Sequence, residues 1–380
     1  MTQSAQKESA AGAFMARALA LARETVGRTS PNPAVGAVVV KDGRIVSEGR
    51  YEGLGTPHAE AVALEIAGAE ARGATLYVTL EPCCHRGRTP PCVEAIVEAG
   101  VAEVRFAHLD PDTRTSGRGQ SQLEQAGISA IGGEGAAEAR RINEAYLKHR
   151  TTGLPFVIAK FAVSLDGKIA TAGGDARWVS GEPARAWVHQ LRLTVDAIAV
   201  GVNTVLADDP QLTARPTDAN GESRLAERQP LRVILDSRGR TPRDAKALAC
   251  GAKTLVATTD TSPEAWRREI EEAGALVAVL PTDDAGRASL PELLEQLGRS
   301  EVLTVLVEGG GILLGSFFDQ RLVDKVHAVI APVIIGGADA PTAVAGEGAA
   351  RMADALRLRE VTIEQLGEDV LVTGYPPGEA

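Results

Sequence analysis

The sequence predicts an α/β protein of two domains, and three observations carry that prediction. The chain has 380 residues, more than one hydrophobic core normally organises. Hydrophobic residues make up 44% and charged residues 24%, which is globular usage and excludes a disordered, collagen-like or coiled-coil chain. Short apolar runs of strand length alternate with helix-period stretches along the chain, the pattern of buried strands in α/β sheets.

In the first half, residues 36–40 and 75–80 read as strands, and 57–71 and 91–99 as helices. The polar, helix-like stretch 138–149 is followed by Arg-Thr-Thr-Gly-Leu-Pro at 150–155. Thr, Gly and Pro together mark a connection, so the domains divide as 1–150 and 151–380. In the second half, strands are expected at 156–163, 196–201, 231–236, 253–258, 275–280, 302–307 and 325–335, and helices at 181–193, 263–273, 290–298 and 312–321. Residues 214–230 read as a polar loop, and no internal repeat is present.

Charge and composition narrow the function. The net charge of −10 is opposite in sign to that of a nonspecific duplex binder. Aromatics at 3% leave no broad base-stacking platform, so no nucleic-acid partner is expected. Residues 1–9 are polar, and the apolar stretch after them is broken by Arg17 and Arg23, unlike a secretory signal. The longest apolar run of the second half, 328–338, holds Pro332 and two glycines and falls short of the ~20 residues of a membrane span. A cytoplasmic protein with no membrane partner is expected. Of four cysteines, Cys83, Cys84 and Cys92 fall within ten residues, which reads as metal or catalytic chemistry in a reducing compartment.

Residues 56–60 are Thr-Pro-His-Ala-Glu. Thr56 suits an N-cap and Pro57 a first helical residue, which would put His58 and Glu60 in the first turn. Thr89-Pro90-Pro91 again suits a helix start, with Cys92 in the first turn and Gly100 as the stop. Two helix N-termini meeting at one point favour thiolates. One His and two Cys, His58, Cys83 and Cys92, suit zinc, and a fourth position left to water makes such a site catalytic. Glu60, two residues from His58, is close enough to move protons on that water. A structural zinc or a chance grouping are the alternatives, since His-x-Glu and Pro-Cys are each common alone.

His-x-Glu followed by Pro-Cys and a further Cys resembles the zinc deaminase signature, in which the Glu is acid/base and not a ligand. Here eight residues, not two, separate Cys83 from Cys92. That longer loop resembles one family, the bifunctional riboflavin-biosynthesis deaminase–reductases. Residues 29–36, Thr-Ser-Pro-Asn-Pro-Ala-Val-Gly, resemble the family's substrate loop, which implies a substrate role for Asn32. Asp110-Pro111 and Gly117-Arg118-Gly119 keep part of another family segment, although Asp112-Thr113 depart from its usual Asn-Pro. Cys84 stands where the family often has Ser and is expected to be a bystander.

The second half carries Lys160 to Lys168 as a strand running into a turn, then Gly174-Asp175-Ala176-Arg177-Trp178, Asn203 to Pro210, and Val305 to Ser316. In the last of these, a buried strand, the turn Gly309-Gly310-Gly311 and a helix start form a candidate phosphate site. Glycine turns are often only tight connections. This one lies too late in the chain for a Rossmann unit and lacks the Lys-Ser/Thr of a P-loop.

The set resembles the reductase half of the same family, so the resemblance spans nearly the whole chain. It implies a cytidine-deaminase-like α/β/α domain followed by a dihydrofolate-reductase-like α/β domain that uses NADPH. Carried over by position, Val163, Trp178, Thr204, Asp208, Ser237 and Gly310, Gly311, Ile312, Leu313, Leu314, Gly315 and Ser316 would line the dinucleotide site. Lys160, Arg192, Leu212, Arg215 and Glu308 would line the substrate site, with Arg192 and Arg215 suited to a ribose phosphate. Ala176 replaces the family's usual substrate-contacting Ser. The implied substrate is a phosphoribosylaminopyrimidine, and a homo-oligomer is expected. Rival readings are a nucleoside or tRNA-base deaminase fused to an unrelated domain, a non-catalytic zinc scaffold, and an enzyme with one decayed half.

Overall fold

The computed structural model describes residues 3–87, 90–218, 221–249 and 251–377, with side chains from residue 12. Thr89, placed at a helix start by the sequence, and Cys250 lie outside the described residues. The chain forms two compact units, Met1–Gly153 and Leu154–Ala380.

The first unit runs α1 (Gln3–Arg23), β1 (Gly36–Lys41), β2 (Arg44–Arg50), α2 (Ala59–Ala67), β3 (Thr75–Val78), α3 (Cys92–Ala99), β4 (Glu103–Phe106), α4 (Arg118–Gln125), β5 (Ser129–Gly132), α5 (Ala136–Ile142) and α6 (Glu144–Thr152). Its sheet has the order β2-β1-β3-β4-β5. The first three strands are antiparallel and the last three parallel. Met15, Ala18, Leu19 and Leu21 of α1 pack with Val38 and Val40 of β1 in one core.

The polar stretch 138–149 is not one helix. It breaks at Asn143, whose side-chain amide accepts from the Ala34 N–H at 2.8 Å and donates to the Ala34 carbonyl at 2.9 Å. A short polar side chain that satisfies a distant backbone competes with the helix ladder.

The second unit runs β6 (Phe156–Ser164), α7 (Glu182–Leu193), β7 (Ala197–Gly201), α8 (Val202–Asp208), β8 (Leu231–Leu235), β9 (Thr254–Thr258), α9 (Glu264–Glu272), β10 (Leu276–Val279), α10 (Leu290–Arg299), β11 (Thr304–Val307), α11 (Gly311–Asp319), β12 (Lys325–Ala331), β13 (Arg359–Leu366) and β14 (Asp369–Tyr375). The nine strands lie in the order β10-β9-β8-β7-β11-β6-β12-β14-β13. All pairings from β10 to β12 are parallel, and the terminal hairpin adds two antiparallel strands. Parallel strands buried on both faces explain the continuous apolar runs Val157–Ala159, Ala197–Val200 and Val305–Val307. The strand expected at 325–335 stops at Ala331, because Pro332 cannot donate to the ladder.

Asn143→Ala would leave the Ala34 N–H and carbonyl buried without partners. An unmet buried group costs about 1–3 kcal/mol, so the variant is expected to unfold at clearly lower urea, read by circular dichroism.

Candidate active sites

The first site is built where α2 and α3 begin. A Cβ on Gly49 would stand 2.2 Å from the Ala59 carbonyl and 2.6 Å from the Ala63 nitrogen, so only glycine lets α2 press this closely on β2. Helix α2 starts later than the sequence predicts. His58, not Thr56, holds the N-cap position, and the Thr56 hydroxyl donates to the Gly53 carbonyl at 2.8 Å instead. Helix α3 starts at Cys92 with Pro91 as its cap and stops at Gly100, which has φ 70°. The first amides of α3 face Cys83: Cys92 N–H donates to its Sγ at 3.3 Å, and Val93 N–H to its carbonyl at 3.2 Å.

His58 Nδ1 lies 3.2 Å from Cys92 Sγ and 3.5 Å from Cys83 Sγ. Hydrogen bonding from Cys92 is the main cause that draws the Cys83 thiol down to about 4, with His58 adding to it. The Cys92 thiol moves the other way, because it donates to Cys83 and is buried. The hydrogen bond to Cys83 raises the pKa of His58. Glu60 is 4% exposed. Its carboxyl is pushed up to about 6, first by burial and then by the charge on Cys83. Cys84 is turned to the Arg114 carbonyl at 3.5 Å. Asn32 donates to the Tyr51 hydroxyl at 2.7 Å, and the Tyr51 ring stands edge-on to His58, 5.4 Å between centroids. Asn32 therefore reaches the site through Tyr51, a residue with no signal in the sequence pattern.

The second site is an open cleft of about 1620 Å³ over the carboxyl ends of β6, β7, β8 and β11, where ligands of open α/β sheets bind. Lys160, Trp178, Arg192, Thr204, Asp208, Leu212, Arg215, Ser237, Glu308, Ser316 and the run 310–314 all line it. Two expected residues do not. Val163 is 8% exposed and is absent from the wall that Lys160, Phe161 and Ala162 line. Gly315 is packed on the Ala345 backbone, where a Cβ would come within 2.0 Å of the carbonyl oxygen.

Gly310, with φ 81°, caps α11, and a Cβ on Gly309 would stand 3.2 Å from Thr204 Oγ1. The glycines keep the approach to the helix start open, as a phosphate requires. Ser237 Oγ accepts from the Ala288 N–H at 2.9 Å, and Ser316 Oγ from Arg287 at 3.0 Å. Trp178 is 70% exposed, with the Arg185 guanidinium 4.7 Å from its ring centre.

Arg192 and Arg215, both expected at a ribose phosphate, are engaged differently. Arg192 closes its fork on Glu308, with two hydrogen bonds of 2.7 Å, and gives a third of 2.9 Å to the Thr213 carbonyl. Burial lowers the pKa of Lys160, while burial of Glu308 is outweighed by Arg192, which holds that carboxylate down. Arg215 bonds the Gln211 side chain at 2.8 Å and is the more available cation. His189, which the sequence reading passed over, also lines the cleft. It stands three residues before Arg192 on α7 and so shares its face, which is the signal that could have found it.

Two sequence families match the two units. The cytidine and deoxycytidylate deaminase zinc-binding region matches residues 8–108, and the RibD C-terminal domain matches residues 155–372. The riboflavin biosynthesis protein RibD of Bacillus amyloliquefaciens is 42% identical over 364 residues, covering 96% of this chain and 95% of its own. The chain belongs to the RibD family. The RibD of Escherichia coli strain K12 is 39% identical over 362 residues, covering 94% of this chain and 97% of its own. Among solved structures, Acinetobacter baumannii RibD superposes with a TM-score of 0.86 at 37% identity, covering 97% of this chain and 99% of its own. A Thermotoga maritima structure described as a diaminohydroxyphosphoribosylaminopyrimidine deaminase/5-amino-6-(5-phosphoribosylamino)uracil reductase has a TM-score of 0.82 at 34% identity, with coverage of 97% and 99%. The fold class expected from the sequence is therefore the fold of this chain. No helix among its described residues is long and apolar enough to cross a membrane.

The first site of this RibD chain fits zinc. Zn–S of about 2.3 Å and Zn–N of about 2.0–2.1 Å put N and S roughly 3.5 Å apart across a tetrahedral edge, against 3.2 and 3.5 Å here. Among the described residues, His58, Cys83 and Cys92 are the one such group whose ligand atoms gather within 4.8 Å. Cys92→Ala is expected to lose zinc, measured by elemental analysis of the dialysed protein, while Cys84→Ser keeps about one zinc per chain.

The buried Glu60 sets a second expectation, for chelated protein. Its folded pKa of about 6 lies above the ordinary 4.5. Its contribution to stability is therefore full below pH 4.5 and lost as pH rises through 6. Glu60→Gln should stabilise the metal-free fold at pH 7.5 by on the order of 2 kcal/mol, and the gain should fade below pH 4.5 in denaturant titrations.

Proposed function

We propose that this chain carries out two successive steps of riboflavin biosynthesis. The first is hydrolytic deamination of 2,5-diamino-6-ribosylamino-4(3H)-pyrimidinone 5′-phosphate. The second is NADPH-dependent reduction of 5-amino-6-(5-phosphoribosylamino)uracil to the ribitylamino product. What carries the reading is the pairing of a buried Glu60 beside a His58–Cys83–Cys92 set with a glycine-lined cleft, in a chain that RibD relatives match nearly end to end.

When bound, zinc supplies a water acidic enough to attack near neutral pH. His58, Cys83 and Cys92 hold the metal. Glu60, buried beside these ligands, takes one water proton and passes it to the ring nitrogen, where it stays, and then carries the second, from the hydroxyl left on C2, to the departing ammonia. The water oxygen replaces the amino group on C2 of the pyrimidine. Asn32 orients the substrate from its place on Tyr51.

In the second unit the dinucleotide, when bound, supplies the hydride that reduces C1′ of the opened ribose. Thr204, Asp208, Ser237 and the start of α11 hold the dinucleotide. Arg215 takes the 5′-phosphate. Arg192 keeps Glu308 ionised and aimed at the ribose beside Lys160. The protein's part there is mainly positioning. A reducing cytoplasm suits the free thiols of the first site. A homo-oligomer is part of the reading, supported by the open edge of β13, where Val361 and Ile363 are exposed.

Purified protein given the diaminopyrimidine phosphate should release ammonia without NADPH and oxidise NADPH when it is added. Glu60→Gln should keep zinc yet lose about 10²–10⁴-fold in deamination, while reduction of supplied deaminated substrate survives. Reduction failing along with deamination in folded, zinc-loaded Glu60→Gln would argue against independent sites. Arg215→Ala should raise the reductase KM for the ribosyl phosphate by about 10–150-fold and leave the NADPH KM nearly unchanged. A raised NADPH KM alone would move Arg215 to the dinucleotide.

A further inference from the structure

The loop 211–215 carries Leu212 and Arg215 to the wall of the reductase cleft, and no strand pairs with it. Apart from the Ala226 N–H, which donates to the Ala214 carbonyl at 3.1 Å, four side chains do the work of a sheet partner. Arg232 reaches the Gln211 carbonyl at 3.5 Å, and Arg192 donates to the Thr213 carbonyl at 2.9 Å. Gln229 clasps Ala214, accepting its N–H at 2.8 Å and donating to its carbonyl at 2.9 Å. His189 Nδ1 accepts the Arg215 N–H at 3.2 Å. Leu212, Thr213 and Ala214 are buried and Arg215 is half-buried, so their backbone groups gain from such partners. Of the four side chains, His189 is the one that both lines the cleft and can change its protonation near neutral pH.

We propose that His189 is a positioning residue of the reductase: its Nδ1 fixes the Arg215 backbone and so aims that guanidinium at the substrate phosphate. The inference rests on the assignment of Arg215 to the phosphate given above. A backbone N–H only donates, so His189 can hold it only with Nδ1 unprotonated. The surroundings favour that state. Burial lowers the His189 pKa below its ordinary 6.5, and Arg192 on the same helix and Arg215 on the loop lower it further. Glu308 at the end of β11 and the Thr213 carbonyl pull the other way without reversing the direction. On protonation, Nδ1 becomes a donor facing a donor, and a third positive charge joins two guanidiniums. Arg215 then keeps the Gln211 side chain but loses the tie on its own peptide.

The test compares wild type, His189→Asn, His189→Ala and Arg215→Ala in the full-length enzyme, with reductase KM and kcat measured on the deaminated ribosyl phosphate from about pH 5.5 to 8. Asn places an oxygen near the Nδ1 position, accepts the same N–H and does not titrate. His189→Ala should raise the substrate KM by about 2–12-fold, the range of one neutral hydrogen bond, with kcat and the NADPH KM little changed. His189→Asn should match wild type at pH 7.5. Below 6.5, the wild-type KM should climb above that of His189→Asn, which cancels the titration of the substrate's own phosphate. If Arg215→Ala raises KM but both His189 variants match wild type at every pH, the positioning role is refuted and the Arg215 assignment stands. If Arg215→Ala leaves KM unchanged, both fall. A His189→Asn enzyme as impaired as His189→Ala, or a fall in kcat at constant KM, overturns the proposal by giving the ring another task. Should His189→Ala fail to fold, His189→Asn and its pH profile decide alone.

Discussion

The opening turns of helices leave their amide N–H groups without partners inside the helix, and both sites of this chain are arranged around that constraint. In the first unit, the amides of Cys92 and Val93 meet it by donating to the sulfur and carbonyl of Cys83. The same bonds that finish α3 also favour the thiolate a metal needs. In the second unit, α8 begins directly after β7, and α11 begins beyond β11 across a glycine turn. Both starts open on the cleft, where a phosphate is the natural partner for their amides. The two sites differ, but in each a helix begins where the loop after a strand reaches the candidate site.

Buried carboxylates hold these junctions in place. Glu81 is 3% exposed and accepts the N–H groups of Asp110, Gly117 and Gln120 at 3.3, 3.0 and 3.1 Å. It thereby ties the loop before α4 to the strand end that carries Cys83. Gly119 completes the fit, since a Cβ there would lie 2.2 Å from the Pro82 carbonyl. Glu308 plays a comparable part with Arg192. Breaking a buried pair by removing one partner costs about 3–5 kcal/mol, whereas exposed pairs such as Arg268–Glu264 are worth about 0–1 kcal/mol. Few of the chain's many ion pairs therefore matter to its architecture.

The grouping of the first site is legible because His58, Cys83 and Cys92 are rare residue types in a recognisable order, with Glu60 two residues after His58. The parallel strands were legible because burial on both faces leaves unbroken runs such as Ala197–Val200. What escaped has physical reasons. Strands β4 and β5 are four residues long, too short for a period to show. Strand β13 is exposed along nearly its whole length, so a search for apolar runs passes over it, although Val361 and Ile363 alternate with Thr362 and Glu364. The close packing of α2 on Gly49 is a tertiary contact no local rule anticipates. The exclusion of Gly315 from the cleft likewise depends on Ala345, thirty residues away. The bond from His189 to the Arg215 backbone spans 26 residues, and only its spacing from Arg192 hints at it.

The three tryptophans of the chain, Trp178, Trp187 and Trp266, all lie in the second unit. Trp187 stands edge-on to His327, and Trp266 donates to the Thr241 carbonyl at 2.9 Å. Trp178 instead lies open on the cleft with the Arg185 guanidinium against its face. The molecule therefore contains its own optical gauge. Indole emission shifts with the polarity around the ring, so the light given out by Trp178 follows what enters the cleft. The unit holding the thiolates contributes no indole, so the signal belongs to the second unit alone.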